Sequence, residues 1–127
     1  MADKMIILAV DDMSMNLRTI RVILEEKYDI RLAKSGELAL GILKNTPVKL
    51  VLLDIEMPGM SGFDVMAEMR KLPRCGDIPV IFITSHATPE LIVSAYDHGA
   101  GDYIIKPISP PVLEKKVEAL LVKTYGA

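Results

Sequence analysis

An open, doubly wound α/β domain is the fold this sequence predicts, and three observations predict it. Short apolar runs alternate with longer amphipathic stretches, and the alternation repeats five times along 127 residues. Half of the residues are hydrophobic and mean hydropathy is +0.31, which suits a parallel sheet whose strands are buried on both faces. The chain is about half the length that a closed (β/α)8 barrel needs, so the sheet is open and carries helices on both faces.

The elements follow in order. The first strand is expected over Met5–Val10, and the segment after it marks one helical face with Leu17, Ile20, Ile23 and Leu24. The second strand is Asp29–Ala33 and the third is the apolar run Val48–Leu53. Ser61-Gly62 then reads as a helix start, more weakly than the two that follow. The fourth strand is Pro79–Thr84. In Thr88-Pro89-Glu90, a capping hydroxyl precedes a proline at the first helical position and an acid in the first turn. The fifth strand is Asp102–Ile105, after which Ser109-Pro110-Pro111 opens a last helix with Leu113, Val117, Leu120 and Leu121 on one face.

Bulk properties narrow the function. The length suits one domain over residues 1–127, with no linker, low-complexity segment or room for a second core. A net charge of −2 gives no electrostatic footprint for nucleic acid. No apolar segment approaches bilayer length, Met1-Ala2-Asp3-Lys4 does not open a signal peptide, and nothing after the last helix offers a DNA-binding or other output unit. The single cysteine, Cys75, sits in the polar stretch Pro73-Arg74-Cys75-Gly76-Asp77 and is expected to be a solvent-side thiol. An intracellular, reducing, cytoplasmic setting follows.

In an open α/β sheet, ligands bind outside the carboxyl ends of the strands. Asp11 and Asp12 follow the first strand, Asp54 ends the third, Thr84 and Ser85 end the fourth, and Lys106-Pro107 ends the fifth. Each has an ordinary reading alone: a turn or cap for the acid pair, a local hydrogen bond for Thr84, a solvated loop for Lys106. Together they place three acids, a hydroxyl and a lysine on one rim. Three adjacent carboxylates repel, and one lysine cannot neutralise them. A hard divalent ion can, and Mg2+ suits carboxylate, carbonyl and water oxygens, whereas no His or Cys cluster argues for zinc. Such a site fits phosphoryl transfer, with an Asp as nucleophile and Lys106 and Thr84 stabilising phosphoryl oxygens.

Four motifs in order, Val10-Asp11-Asp12, Leu53-Asp54-Ile55-Glu56-Met57-Pro58-Gly59-Met60-Ser61-Gly62, Ile83-Thr84-Ser85 and Gly101-Asp102-Tyr103-Ile104-Ile105-Lys106-Pro107, resemble those of two-component response-regulator receiver domains. The resemblance runs from Ile6 to about Leu121. It implies the flavodoxin-like strand order 2-1-3-4-5, for which a chemotaxis receiver is a standard example. It implies that Asp54 accepts a phosphoryl group from a histidine kinase or phosphotransfer protein. Asp12 would be a direct Mg2+ ligand, Asp11 a largely water-mediated one, and the Glu56 backbone carbonyl a further one. Lys106 would pair with the phosphoryl group, and the Lys106-Pro107 bond would be cis. Thr84 and Tyr103 would form a switch pair acting on a partner face built from the fourth helix, fifth strand and fifth helix. Glu56 and His86 border the site at positions that tune phosphoryl lifetime, and Ile108 stands where many members carry Phe.

Other readings fit less well. Haloacid-dehalogenase-like phosphatases carry the nucleophile after the first strand in an Asp-x-Asp pattern, whereas Asp11-Asp12 is adjacent. A flavodoxin or dinucleotide site needs glycines where Asp-Asp-Met-Ser-Met-Asn stands. A receiver-shaped interaction module that is never phosphorylated is the remaining alternative.

Overall fold

A computed structural model describes residues 3–126. Met1, Ala2 and Ala127, the ends of the expected 1–127 domain, lie outside the described residues. Five strands alternate with five helices: β1 (Ile6–Val10), α1 (Ser14–Leu24), β2 (Asp29–Ala33), α2 (Gly36–Asn45), β3 (Val48–Asp54), α3 (Gly62–Met69), β4 (Val80–Thr84), α4 (Pro89–Asp97), β5 (Asp102–Ile105) and α5 (Pro110–Tyr125). The strands form one parallel sheet in the order β2-β1-β3-β4-β5, as the resemblance implies.

Strand limits differ from the expected ones by single residues, for identifiable reasons. Met5 and Pro79 fall just outside β1 and β4, yet their carbonyls accept from Asp29 N and Val51 N, extending the ladder. β3 runs one residue beyond the apolar run because Asp54 still pairs with Ile83.

Successive side chains of a strand point to opposite faces, and the core divides accordingly. Leu8, Val10, Val51, Leu53, Val80 and Phe82 pack with α2, α3 and Ala95 of α4. Ile7, Ala9, Leu50, Leu52, Ile81 and Ile83 pack with Leu17, Ile20 and Leu24 of α1 and with Leu113, Val117, Leu120 and Leu121 of α5. Ile108 joins this second cluster as a partly buried side chain.

The helix starts rank differently from the sequence expectation. Ser61, the weakest candidate, has a full capping box: its hydroxyl accepts from Asp64 N at 3.2 Å and Asp64 Oδ2 accepts from Ser61 N at 3.0 Å. The acid three residues on, typical of such boxes, is its signal. Thr88 accepts from Leu91 N at 3.2 Å, as expected. Ser109 occupies the cap of α5 without a side-chain bond, leaving the start to Pro110 and Pro111.

Cys75 corrects the sequence reading: it is 3 % exposed and belongs to the core against α2 and α3. The Arg70 guanidinium donates to the carbonyls of Cys75 (3.1 Å) and Ile78 (2.7 Å), drawing the α3–β4 loop inward. The thiol then points at the Leu43 carbonyl, 3.8 Å away. Burial pushes its pKa up, against the opposing pull of Arg70, so it is a packing group rather than a reactive one.

No helix among the described residues is long and apolar enough to cross a membrane.

Candidate phosphoacceptor site

Among the described residues, only three polar or charged side chains are fully buried: Asp11 (1 % exposed), Thr84 (2 %) and Asp54 (3 %). All three stand at the carboxyl ends of strands. Burying a carboxylate is costly unless it is paired or put to use, so this placement marks the site.

Strand periodicity aims most of the side chains. Counting in twos along the face that carries Ile7 and Ala9 arrives at Asp11; from Leu50 and Leu52 it arrives at Asp54; from Ile104 it arrives at Lys106. The three groups meet: Lys106 Nζ lies 3.0 Å from Asp11 Oδ2 and 3.3 Å from Asp54 Oδ1. Asp12, half-buried, completes an acid trio with Asp11 and Asp54 whose nearest ligand atoms all lie within 4.8 Å of one another. Thr84 shares its strand face with Phe82, on the other side of the sheet. Its hydroxyl accepts from His86 N at 3.0 Å and donates to His86 O at 3.1 Å, which is the local bonding that sequence allowed.

The loop beneath Asp54 depends on two glycines. Gly59 has φ +78°, a left-handed conformation that L side chains rarely adopt. Gly62 begins α3 with its N–H donated to Ile55 O at 2.8 Å. A Cβ there would overlap the Asp54 carbonyl, so glycine alone lets α3 start this close to the acid.

Asp11 and Asp12 have unlike surroundings. Asp11 Oδ1 accepts from Met13 N at 2.9 Å, and Oδ2 accepts from Asn16 Nδ2 at 3.1 Å in addition to Lys106. Asp12 makes none of these contacts. Sequence reasoning missed Asn16. Its signal was an amide, a group that bonds readily to nearby polar atoms rather than favouring a helix, in the first turn of a helix that closely follows an acid pair.

Charge in the pocket is unbalanced, with three carboxylates against one ammonium. Burial pushes the Asp54 carboxyl up to about 6 and the negative charge of Asp11 adds to this, while Lys106 pulls the other way. Burial alone would depress Lys106, but its bonds and attraction to Asp11 and Asp54 outweigh that and raise it. The Lys106-Pro107 bond is cis.

At the pocket mouth, His86 Nδ1 lies 2.6 Å from Glu56 Oε1, and both side chains are exposed. The Glu56 carbonyl accepts no hydrogen bond among the described residues. Tyr103 is half-buried: its ring meets Tyr96 edge-on at 6.1 Å, and Lys116 Nζ sits 4.8 Å from its centroid. A separate concavity, about 640 Å³, lies at the opposite end of β3, lined by Leu43, Val48, Cys75 and Tyr125 among others. It has a single carboxylate, Asp77, on its wall and lacks the chemistry of the strand-end pocket.

A parallel α/β domain with an acid-and-lysine pocket at its strand ends is thus defined. A family model of the response regulator receiver domain matches residues 7–118, and the chain belongs to that family. A receiver domain protein of the chemotaxis type from Methanospirillum hungatei JF-1 superposes with a TM-score of 0.88 at 31% identity, over 96% of this chain and 97% of that one. A probable cyclic di-GMP phosphodiesterase of Vibrio cholerae is 43% identical over 91% of this chain and 26% of its own length. The transcriptional regulatory protein YvrH of Bacillus subtilis is 36% identical over 94% of this chain and 50% of its own. The chain thus spans half or less of these two curated relatives. Family membership makes it a phosphorylation-dependent signalling domain of the two-component type.

Proposed function

We propose that Asp54 accepts the phosphoryl group, taken from the phosphohistidine of a histidine kinase or phosphotransfer protein, and that the chain works as a switch controlled by that group. The observation that carries this reading is a buried strand-end carboxylate 3.3 Å from the Lys106 ammonium, beside two further acids.

An Asp54 oxygen attacks phosphorus, and the new O–P bond forms as the P–N bond of the phosphohistidine breaks. The imidazole nitrogen keeps the electron pair and takes a proton from solvent. Lys106 neutralises one phosphoryl oxygen, and the Thr84 hydroxyl leaves the His86 backbone to donate to another. Asp11, Asp12, Asp54 and the Glu56 carbonyl would hold Mg2+, since all are hard oxygen donors and the trio includes no imidazole or thiol. When bound, the ion supplies positive charge to the phosphoryl oxygens. The chain itself promotes formation and hydrolysis of its aspartyl phosphate.

Movement of Thr84 leaves space for the Tyr103 ring to turn inward. This alters the face of α4, β5 and α5, where Val93, Tyr96, Ile105 and Val112 are exposed for an output partner. The paired side chains of Glu56 and His86 stand where water approaches and tune the lifetime of the phosphoryl group. Residues 1–127 act as one receiver unit in the cytoplasm, without direct contact to nucleic acid, in keeping with the net charge of −2.

Intact mass measured after incubation with acetyl phosphate and Mg2+ tests the assignment. One added phosphoryl group is expected, absent in Asp54→Asn. No addition would support an interaction module that is never phosphorylated, and addition that persists in the variant would move the acceptor elsewhere.

A further inference from the structure

We propose that Asn16 is a positioning residue for phosphoryl transfer, its amide holding Asp11 while Lys106 leaves that acid for the phosphoryl group. The inference rests on the reading of Asp54 as acceptor.

Asp11 is 1 % exposed, so its oxygens depend on protein donors. Met13 N serves Oδ1 at 2.9 Å, and Oδ2 is shared between Asn16 Nδ2 at 3.1 Å and Lys106 Nζ at 3.0 Å. The same ammonium lies 3.3 Å from Asp54 Oδ1, so it bridges the two acids. A phosphoryl group on Asp54 brings more negative charge and more acceptor oxygens than the carboxylate it replaces, and it draws Lys106 away from Asp11. Without another donor, Oδ2 would lose its last protein partner, and a buried carboxylate oxygen short of a donor would hold Lys106 back.

Asn16 is the donor that stays. It sits in the first turn of α1, next to Leu17, and that helix is fixed in the core by Leu17, Ile20 and Leu24. Its amide is neutral, so it satisfies Asp11 without competing with Lys106 for the phosphoryl group. A lysine or arginine there would compete, and an apolar residue would offer nothing.

The test compares wild type with Asn16→Leu, similar in size but without a donor, Asn16→Ala, which favours the helix, and Asn16→Gln, which keeps the amide. Phosphorylation by acetyl phosphate is timed at saturating Mg2+, and Mg2+ affinity is measured separately. Asn16→Leu and Asn16→Ala should slow phosphorylation about tenfold, the loss of one hydrogen bond to a charged group. Mg2+ affinity should move less than about threefold, because Asp12 and Asp54 are untouched, and Asn16→Gln should recover most of the rate. Rates within twofold of wild type in either donor-less variant that folds overturn the proposal. So does a loss that Asn16→Gln does not recover, or one matched by an equal loss of Mg2+ affinity. A wild-type protein that takes up no phosphoryl group overturns instead the acceptor assignment beneath it.

Discussion

Lys106 Nζ stands 3.3 Å from Asp54 Oδ1, yet the Asp54 carboxyl is raised to about 6, because burial and the charge of Asp11 outweigh the lysine. An acid raised in the folded state holds its proton more tightly folded than unfolded. From its ordinary value of 3.8 up to about 6, the native state binds the extra proton, so this group's contribution to stability falls as pH rises through that window. Above it, ionised Asp54 destabilises the metal-free protein. Asp54→Asn should therefore raise stability at pH 7 in a chelator by roughly 1–3 kcal/mol. The gain should shrink toward zero as pH falls to the ordinary carboxylate range. Urea unfolding of both proteins at several pH values checks this, and a gain independent of pH would refute it.

Removing the lysine has the opposite sign. Lys106→Met leaves Asp11 and Asp54 buried with no cation, a situation that costs about 3–5 kcal/mol where one member of a buried pair is deleted. The half-buried Asp12 and nearby solvent relieve part of this, so about 2–4 kcal/mol is expected at pH 7 without metal. The deficit should narrow as pH falls toward 6, because Asp54, freed of the lysine that lowers it, takes its proton at higher pH in the variant than in wild type. A variant as stable as wild type would show that the ion pairs contribute nothing.

Divalent cations should reverse these penalties. A ligand that binds only the folded state stabilises it by RT ln(1 + [L]/Kd), about 2.7 kcal/mol at a hundred times Kd. Mg2+ should raise the unfolding midpoint of wild type, and EDTA should return it. Asp12→Ala should weaken the Mg2+ midpoint at least tenfold, since Asp11 already accepts from Met13, Asn16 and Lys106 while Asp12 makes none of these contacts. Equal weakening in Asp11→Ala and Asp12→Ala would contradict that division of labour.

Much of this was legible in sequence because apolar pattern and strand ends are one-dimensional signals. The runs Met5–Val10 and Val48–Leu53 specify buried strands, found over Ile6–Val10 and Val48–Asp54, and the rule that ligands gather at strand carboxyl ends singled out Asp11, Asp12, Asp54, Thr84 and Lys106. What sequence could not supply was which donor reaches which acceptor. The bond from Asn16 to Asp11 depends on how α1 leaves β1, and the hold of Thr84 on the His86 backbone depends on a loop conformation. Cys75 was misread for a related reason. Its polar neighbours do mark a loop, but Arg70 folds that loop onto the core by binding two of its carbonyls. The strand order came from resemblance, since alternation alone counts βα units without ordering them.

The Tyr103 ring gives a last prediction. Lys116 Nζ sits 4.8 Å from its centroid and donates to the Tyr103 carbonyl at 2.7 Å and to Asp102 Oδ1 at 3.0 Å. The two hydrogen bonds fix the lysine to β5, so it attracts the ring in its present position whatever the state of Asp54. An inward turn of the ring must break that attraction, worth about 0.5–1 kcal/mol at a partly exposed site. Lys116→Met removes it and should favour the inward state about two- to fivefold. Beryllofluoride, which mimics a phosphoryl group on a carboxylate, should then bind the Mg2+ form more tightly by the same factor, provided the ring and the Asp54 site are coupled. Unchanged affinity, with the variant folded and the ring free by NMR line shape, would separate Tyr103 from the switch.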